Sequence, residues 1–456
     1  MTRCNFIDFD IILRGAAPPY SVAARYRRQS AEGAFACDIN QGDWPSLAER
    51  IERTMFTPDA RLLADAGSRL FTALIHNDVR DLWIAARSDL DQERIDGLRI
   101  RLALHPPAVA ALPWETLYDP HRRQAIAANG RTPLVRVEDS QRLVQPPRPL
   151  RIAWPITILL AAPDDASGQI NAAAEIQAVK RLLEGFGPDR IRVTTLTGRF
   201  SILDLREQLD ALKPDILHLI THGGPEGLEL WQQGQSVMTP SASLQTVLEH
   251  ASSVKLAFLN ACLAGASTGN LPLQSVAGRL LQTGLPAVIA MQTEIRDDAA
   301  IHFAKSLYEE LTAGACPGAI DAAVALARSS LFALNPGDFS YATPVLWLNA
   351  ADGLIFTTAG DPGTPVRADE NVAINAERRW LVQIAQEVDP SRLPPDQRFV
   401  ARDWKRILSD LHGLLDQLRY VQLHGSAGAY QDKARQYQAR KAALLRLQNY
   451  IDELPK

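Results

Sequence analysis

Ile216-Leu217-His218-Leu219-Ile220-Thr221-His222-Gly223-Gly224 and, further along, Leu256-Ala257-Phe258-Leu259-Asn260-Ala261-Cys262 decide how this chain is read. Each stretch opens with an apolar run of strand length, Ile216 to Ile220 and Leu256 to Leu259, and closes on small or polar residues. Runs of that length and character predict buried strands. In an open α/β sheet, groups at the carboxyl ends of neighbouring strands converge on one crevice, where ligands bind. A histidine and a cysteine delivered to that edge can form a thiolate–imidazole pair, the minimum equipment for covalent attack on an acyl carbon.

The rest of the chain is compatible with such a protein. Its 456 residues exceed one typical domain, so two or three are expected. With 46% hydrophobic and 22% charged residues the composition is that of a soluble globular protein. A formal net charge of −4 argues against a general polyanion binder, and no nucleic acid is expected as a direct partner. The apolar run from Ile152 to Ala162 holds about eleven residues, against roughly twenty for a spanning helix, so no membrane is expected. The amino terminus, Met1-Thr-Arg-Cys-Asn-Phe-Ile-Asp-Phe-Asp10, carries acids where a signal peptide would be apolar. Cys4, Cys37, Cys262 and Cys316 have no paired spacing, which predicts neither a disulfide framework nor a zinc site. A reducing cytoplasm fits, with no metal and no cofactor.

Two proline–glycine clusters mark linkers: Gln145-Pro146-Pro147-Arg148-Pro149 and Gly360-Asp361-Pro362-Gly363-Thr364-Pro365. They divide the chain into residues 1–145, 150–359 and 366–456. The first region predicts strands at Phe9–Leu13, Tyr20–Tyr26 and Phe35–Ile39, a helix over Ala60–Ile75, and strands at Leu98–Leu104 and Leu134–Val137. The middle alternates. Strands at Ile156–Ala161 and Ile191–Leu196 are interleaved with helices over Ala172–Leu183 and Ile202–Leu212. After the His222 strand come a polar loop, a helix near Leu244–Leu248 and the Cys262 strand. Then follow a helix near Ser275–Leu281, a strand at Ala287–Met291, helices over Ala299–Leu311 and Ala319–Leu334, and strands at Val345–Leu348 and Leu354–Thr357. Such alternation predicts an α/β fold, a mainly parallel sheet flanked by helices. In the last region Trp404, Ile407, Leu411, Leu414 and Leu418 recur at helical steps, as do Tyr437, Leu444, Leu447 and Ile451. That pattern predicts an all-α domain of two long helices separated by a turn at Gly425–Gly428, with a third helix over Ala376–Val388.

Several strings together resemble the CHAT domain, of the caspase, separase and gingipain-like cysteine peptidases. They are His218-Leu-Ile-Thr-His222-Gly223, Leu259-Asn260-Ala261-Cys262, and Leu112-Pro113-Trp114-Glu115-Thr116-Leu117-Tyr118-Asp119. Met291-Gln292 followed by Asp297, Ala300, Phe303, Tyr308 and Leu311, and then Tyr341-Ala342-Thr343-Pro344-Val345-Leu346, also fit, although the family more often has Trp where Tyr341 stands. The similarity runs from about Leu98 to Thr358. It implies a caspase-like fold and a His/Cys dyad carried by His222 and Cys262, with the amides of Gly223 and Cys262 as oxyanion-hole donors.

The chemistry asks for those residue types. A free thiol has a pKa near 8.5, and the thiolate is the nucleophile, so an imidazole must take its proton and later protonate the leaving amine. His222 is the expected base and Cys262 the nucleophile. Against this stand plainer readings: Cys262 as a small buried hydrophobe, and Gly223-Gly224 as a simple turn. His218, four positions before His222 on the same strand face, reads as a structural histidine bonded to backbone, or as a second base. Glu115 reads as structural, bonding backbone groups near a strand entry. Asp297 either selects a basic side chain in the substrate cleft or caps the following helix. His424-Gly425 reads as coincidental, and the remaining cysteines, Cys4, Cys37 and Cys316, as structural or incidental.

The reading is therefore a cytoplasmic CHAT cysteine endopeptidase acting on a protein substrate under regulated conditions, which the resemblance links to bacterial defence and programmed death. Its carboxyl-terminal helices would bind a regulatory protein or another copy of the chain. The rival reading is a catalytically idle scaffold of the same fold, acting through protein–protein contacts.

Overall fold

The computed structural model describes residues 6–35, 44–92, 94–137, 150–152, 155–165, 172–224, 227–263, 272–314, 316–350, 352–358, 407, 410–411, 414 and 427–452. Strands β1 (Phe6–Arg14), β2 (Tyr20–Tyr26) and β3 (Gln29–Phe35) precede helices α1 (Trp44–Arg53), α2 (Ala60–Leu74) and α3 (Asn77–Asp91). Next come β4 (Gly97–Leu104), the one-turn α4 (Pro107–Ala110), β5 (Tyr118–Asp119), β6 (Gln124–Ala125) and β7 (Leu134–Arg136). The central part opens with β8 (Leu150–Ile152), β9 (Ile156–Pro163), α5 (Ala172–Glu184), β10 (Ile191–Gly198) and α6 (Ile202–Leu212). It continues through β11 (Ile216–Gly224), β12 (Gly227–Gln232), β13 (Gln235–Pro240), α7 (Ser241–His250), β14 (Leu256–Leu263) and α8 (Pro272–Gln282). It closes with β15 (Ala287–Met291), α9 (Asp297–Ala313), α10 (Ile320–Leu334), β16 (Pro344–Leu348) and β17 (Phe356–Thr358), and α11 (Ala427–Asp452) lies in the last region.

The main sheet is mixed and mostly parallel, in the order β10-β9-β11-β14-β15-β16-β7-β4-β1-β2-β3, with the β12–β13 hairpin attached to β11. From β10 to β15 every neighbouring pair on that path is parallel. Strand β16 runs antiparallel to β15 and parallel to β7, with Trp347 opposite Arg136, so the sheet passes unbroken from the central strands to the amino-terminal ones. Residues 4–359 form one compact unit, and residues 360–456 with the first three residues form another.

The parallel strands form because both their faces are covered. Leu217, Leu219, Leu256, Ala257, Phe258 and Leu259 are all buried, and strands buried on both faces read as continuous apolar runs. Helix α5 links β9 to β10 in one direction along the sheet, whereas α6, α7 and α8 link strands in the opposite direction. Right-handed crossovers then put α5 on one face and α6 to α8 on the other. The reversal falls between β9 and β11, and such a switch point opens a crevice at the carboxyl ends of the two strands.

A buried polar cluster lies where the amino-terminal strands join, within the one apolar core that runs through both parts. Glu115 and Arg136 have no exposed side-chain surface. Arg136 donates through Nε to Oε1 at 3.0 Å and through a terminal nitrogen to Oε2 at 2.7 Å. Gln292 also donates to that carboxylate, at 3.2 Å. Glu115 is structural, as expected, but its partners are a guanidinium and an amide rather than backbone groups. Beside it Arg328, also fully buried, donates to the carbonyls of Pro344 and Leu134.

Several elements differ from expectation. A third strand lies at Gln29–Phe35, where Arg27, with φ of 53°, tightens a two-residue turn that a polar edge strand follows, and the strand expected at Phe35–Ile39 lies, past Phe35, outside the described residues. The polar loop after β11 is instead the β12–β13 hairpin. Its turn, Gln233-Gly234, has φ of 51° and 78°, the signature of a type I′ hairpin, and Leu228 and Leu230 are buried. Helices α1 and α3 were not foreseen. Cys316 is disulfide-bonded, which the spacing of the cysteines did not reveal. Strand β14 continues past Leu259 through Cys262. In the last region Ile407, Leu411, Tyr437 and Leu444 are buried, as their helical spacing predicts. Trp404 and the Ala376–Val388 helix lie outside the described residues, as do the first two residues of the expected Gly425–Gly428 turn, whereas Ala427 and Gly428 already belong to α11.

Candidate functional site

Strands β11 and β14 pair in parallel register from Ile216↔Leu256 to Gly223↔Leu263, and in that ladder His222 stands opposite Cys262. Paired residues of neighbouring parallel strands share a sheet face, and the strands lie about 4.8 Å apart. The register thus brings together the two residues that the sequence singles out, at the carboxyl-terminal edge. The sulfur–nitrogen separation expected of a dyad involves the Cys262 side chain, which lies outside the described residues. Gly223 and Gly224 extend β11 and pair with Leu228 and Gly227 of β12, so they carry the strand into a hairpin. Where Gly227 pairs, an added Cβ would lie 1.8 Å from the Thr239 carbonyl oxygen, so only glycine fits.

His222 lines a small, water-sized pocket at the switch point, together with Pro163, Asp164, Asp165, Thr221 and Glu229. Its Nε2 sits 3.1 Å from Oδ1 of Asp165, and the two side chains are only 12% and 9% exposed. Asp165 was not singled out in the sequence. It follows β9 with no motif around it, and only the sheet order sets it beside His222. The segment carrying it is tied on both sides. The Asp164 amide donates to the Gly198 carbonyl at 3.0 Å, and the Trp231 indole donates to the Asp164 carbonyl at 2.8 Å. Arg199 covers the Trp231 ring at 4.5 Å.

Beneath His222 lies a buried polar layer. Asn260, two residues before Cys262, donates through Nδ2 to Oε1 of Glu175 on α5 at 2.6 Å. His218 is fully buried, stacks on Phe258 with ring centroids 4.1 Å apart, and meets the Tyr308 hydroxyl of α9 through Nδ1 at 3.2 Å. Its Nε2 is 3.8 Å from Glu175. Burial holds His218 down to about 3, so it is neutral. Burial pushes the Glu175 carboxyl up to about 8, opposed by the Asn260 hydrogen bond and reinforced by the charge of Asp297. Tyr308 is also shifted upward by burial. His218 is a structural histidine, bonded to a side chain rather than to backbone.

Asp297 opens α9 as an exposed residue. The cap position is Arg296, which makes no side-chain cap, and it is Asp298 that accepts from the Ala299 amide and pairs with Arg296. His424, Cys4 and Cys37 lie outside the described residues. Among the described residues no group of three or more His, Cys, Asp or Glu could hold a metal ion, and no helix is long and apolar enough to cross a membrane.

A family model described as the CHAT domain matches residues 64–360. Among solved structures, the chain is similar to the Saccharomyces cerevisiae separase–securin complex, with a TM-score of 0.42 and 11% sequence identity, covering 76% of this chain and 30% of that one. No curated protein matches.

Proposed function

The chain belongs to the CHAT domain family, and from that premise we propose that it is a cysteine endopeptidase whose nucleophile is Cys262 and whose base is His222. The observation that carries this reading is the register of β11 and β14, with the two residues opposite each other at the edge where such sheets bind ligands. His222 takes the proton of the Cys262 thiol, and the thiolate attacks the peptide carbonyl. The amides of Gly223 and Cys262 donate to the oxyanion of the tetrahedral intermediate. As the intermediate collapses, the C–N bond breaks and the imidazolium protonates the departing amine. Water, deprotonated by the imidazole, then cleaves the thioester and restores the thiol. Asp297, exposed near this edge, would favour a basic residue before the scissile bond.

The substrate is a protein and the setting regulated, in bacterial defence or programmed death and in the cytoplasm, with the carboxyl-terminal helices binding a regulator or a second copy. The test is co-expression with the proteins encoded beside it, followed by mass spectrometry of cleaved products. Cys262→Ala should abolish cleavage and His222→Ala should nearly do so, both remaining folded. Undiminished cleavage by Cys262→Ala would remove the assignment. Cleavage by neither the parent nor the variants, with the parent thiol unreactive to alkylation, would favour the idle scaffold.

A further inference from the structure

The site contains a third ionisable group that the dyad reading does not use. We propose that Asp165 is a positioning residue that holds His222 through Nε2 and thereby assigns the proton exchange with Cys262 to Nδ1. This rests on the dyad reading and deepens it. Three consecutive strands of the sheet, β9, β11 and β14, end at one edge in the spatial order carboxylate, imidazole, cysteine. Strand β11 pairs with β9 from Ile216↔Ile158 to Leu219↔Ala161, and continuing that ladder brings the Asp164–Asp165 segment level with His222. On the other side the same histidine is level with Cys262. The sheet therefore sets the His222 position between the strand carrying Asp165 and the strand carrying Cys262, and the 3.1 Å contact from Nε2 to Asp165 is made.

A carboxylate accepts hydrogen bonds and cannot donate them, so its contact places the N–H on Nε2. It then fixes the tautomer that leaves the Nδ1 lone pair as the base. It also sets a negative charge against the ring on which positive charge develops as the thiol gives up its proton. The carboxylate itself is set in place. Asp164 beside it is bonded through its amide to β10 and through its carbonyl to Trp231 of β12. Orientation of an imidazole by a buried, hydrogen-bonded carboxylate is a general device of nucleophile–base pairs.

Because the substrate is unidentified, the probe is iodoacetamide, a small neutral alkylating agent. Its rate at Cys262 in the full-length chain is followed by mass spectrometry from pH 5 to 9, with Cys262→Ala as background. In Asp165→Asn the alkylation rate at pH 6.5 should fall about tenfold or more and the pH midpoint should rise by about one unit or more, the scale on which a neighbouring charge acts. Asp165→Glu should recover part of the loss. A residue that merely binds substrate or supports the loop would leave the midpoint unmoved, because the probe carries no charge and the amide fills the same space. Overlaying profiles for Asp165→Asn and the parent would overturn the proposal. His222→Ala separates the two readings. If it raises the midpoint while Asp165→Asn does not, the positioning role fails alone; if His222→Ala leaves the profile unchanged, the dyad fails with it.

Discussion

Asn260 and Glu175 are joined by a 2.6 Å hydrogen bond that ties the strand delivering Cys262 to helix α5, in an environment where Glu175 is almost wholly buried. The carboxyl's raised pKa, about 8 against an ordinary 4.5, makes stability depend on pH. Between those values the unfolded chain has released the proton and the folded chain retains it, so stability falls as pH rises. His218 acts the other way. Held down to about 3 from 6.5, it contributes stability that is present above pH 6.5 and lost as pH falls toward 3. Of these two groups, then, Glu175 alone contributes to the slope above pH 6.5. Glu175→Gln, which keeps the shape of the protonated acid, should flatten the decline of Tm between pH 6.5 and 9 relative to the parent. Parallel Tm curves for the two proteins would show that the carboxyl does not titrate in that window.

The Glu115–Arg136 pair should be costly to break from one side. Glu115→Ala leaves a guanidinium with no exposed surface and no carboxylate, and should lose about 3–5 kcal/mol in urea unfolding. Arg328, whose buried guanidinium is pushed down to about 10 by desolvation while the Glu115 charge opposes that shift, adds to the penalty. A loss under about 1 kcal/mol, the size of an exposed pair, would mean that water reaches the site.

Phe258 should matter through packing alone. It is fully buried between His218 and the edge of Phe303, at centroid distances of 4.1 and 5.9 Å. Phe258→Leu should cost less than Phe258→Ala, for which about 3–5 kcal/mol is expected. Equal losses in chemical denaturation would contradict a tightly packed ring.

Asp297 should act on selectivity and little on stability, since the side chain that accepts from a first-turn amide of α9 is that of Asp298. Asp297→Ala should reduce cleavage of peptides with Arg before the scissile bond relative to those with Leu, and change stability by no more than about 0.5 kcal/mol. An unchanged Arg-to-Leu ratio would take Asp297 out of the substrate cleft.

The elements about the site were legible wherever burial imposes a simple pattern. The helix at Ile202–Leu212 and the strand at Ala287–Met291 coincide with expectation, because their apolar spacing follows one period throughout. The β12–β13 hairpin is not legible in the sequence because Gln233-Gly234 is a weak turn signal beside Asn-Gly, although its conformation is the same. Helix α3 carries Arg and Asp on buried as well as exposed positions, which blurs a helical stripe.

By itself the sequence determined the strand ends that carry His222 and Cys262 and the alternation that covers a parallel sheet with helices, since both follow from local periodicity and from the small residues that end each apolar run. Only the tertiary structure decided what stands beside those residues. Asp165 and His222 are 57 positions apart, Asn260 and Glu175 are 85 apart, and Gln292 and Glu115 are 177 apart. Each pair meets through strand order or helix packing, and no local pattern records either, because register and crossover direction are set by how whole apolar faces are buried against one another.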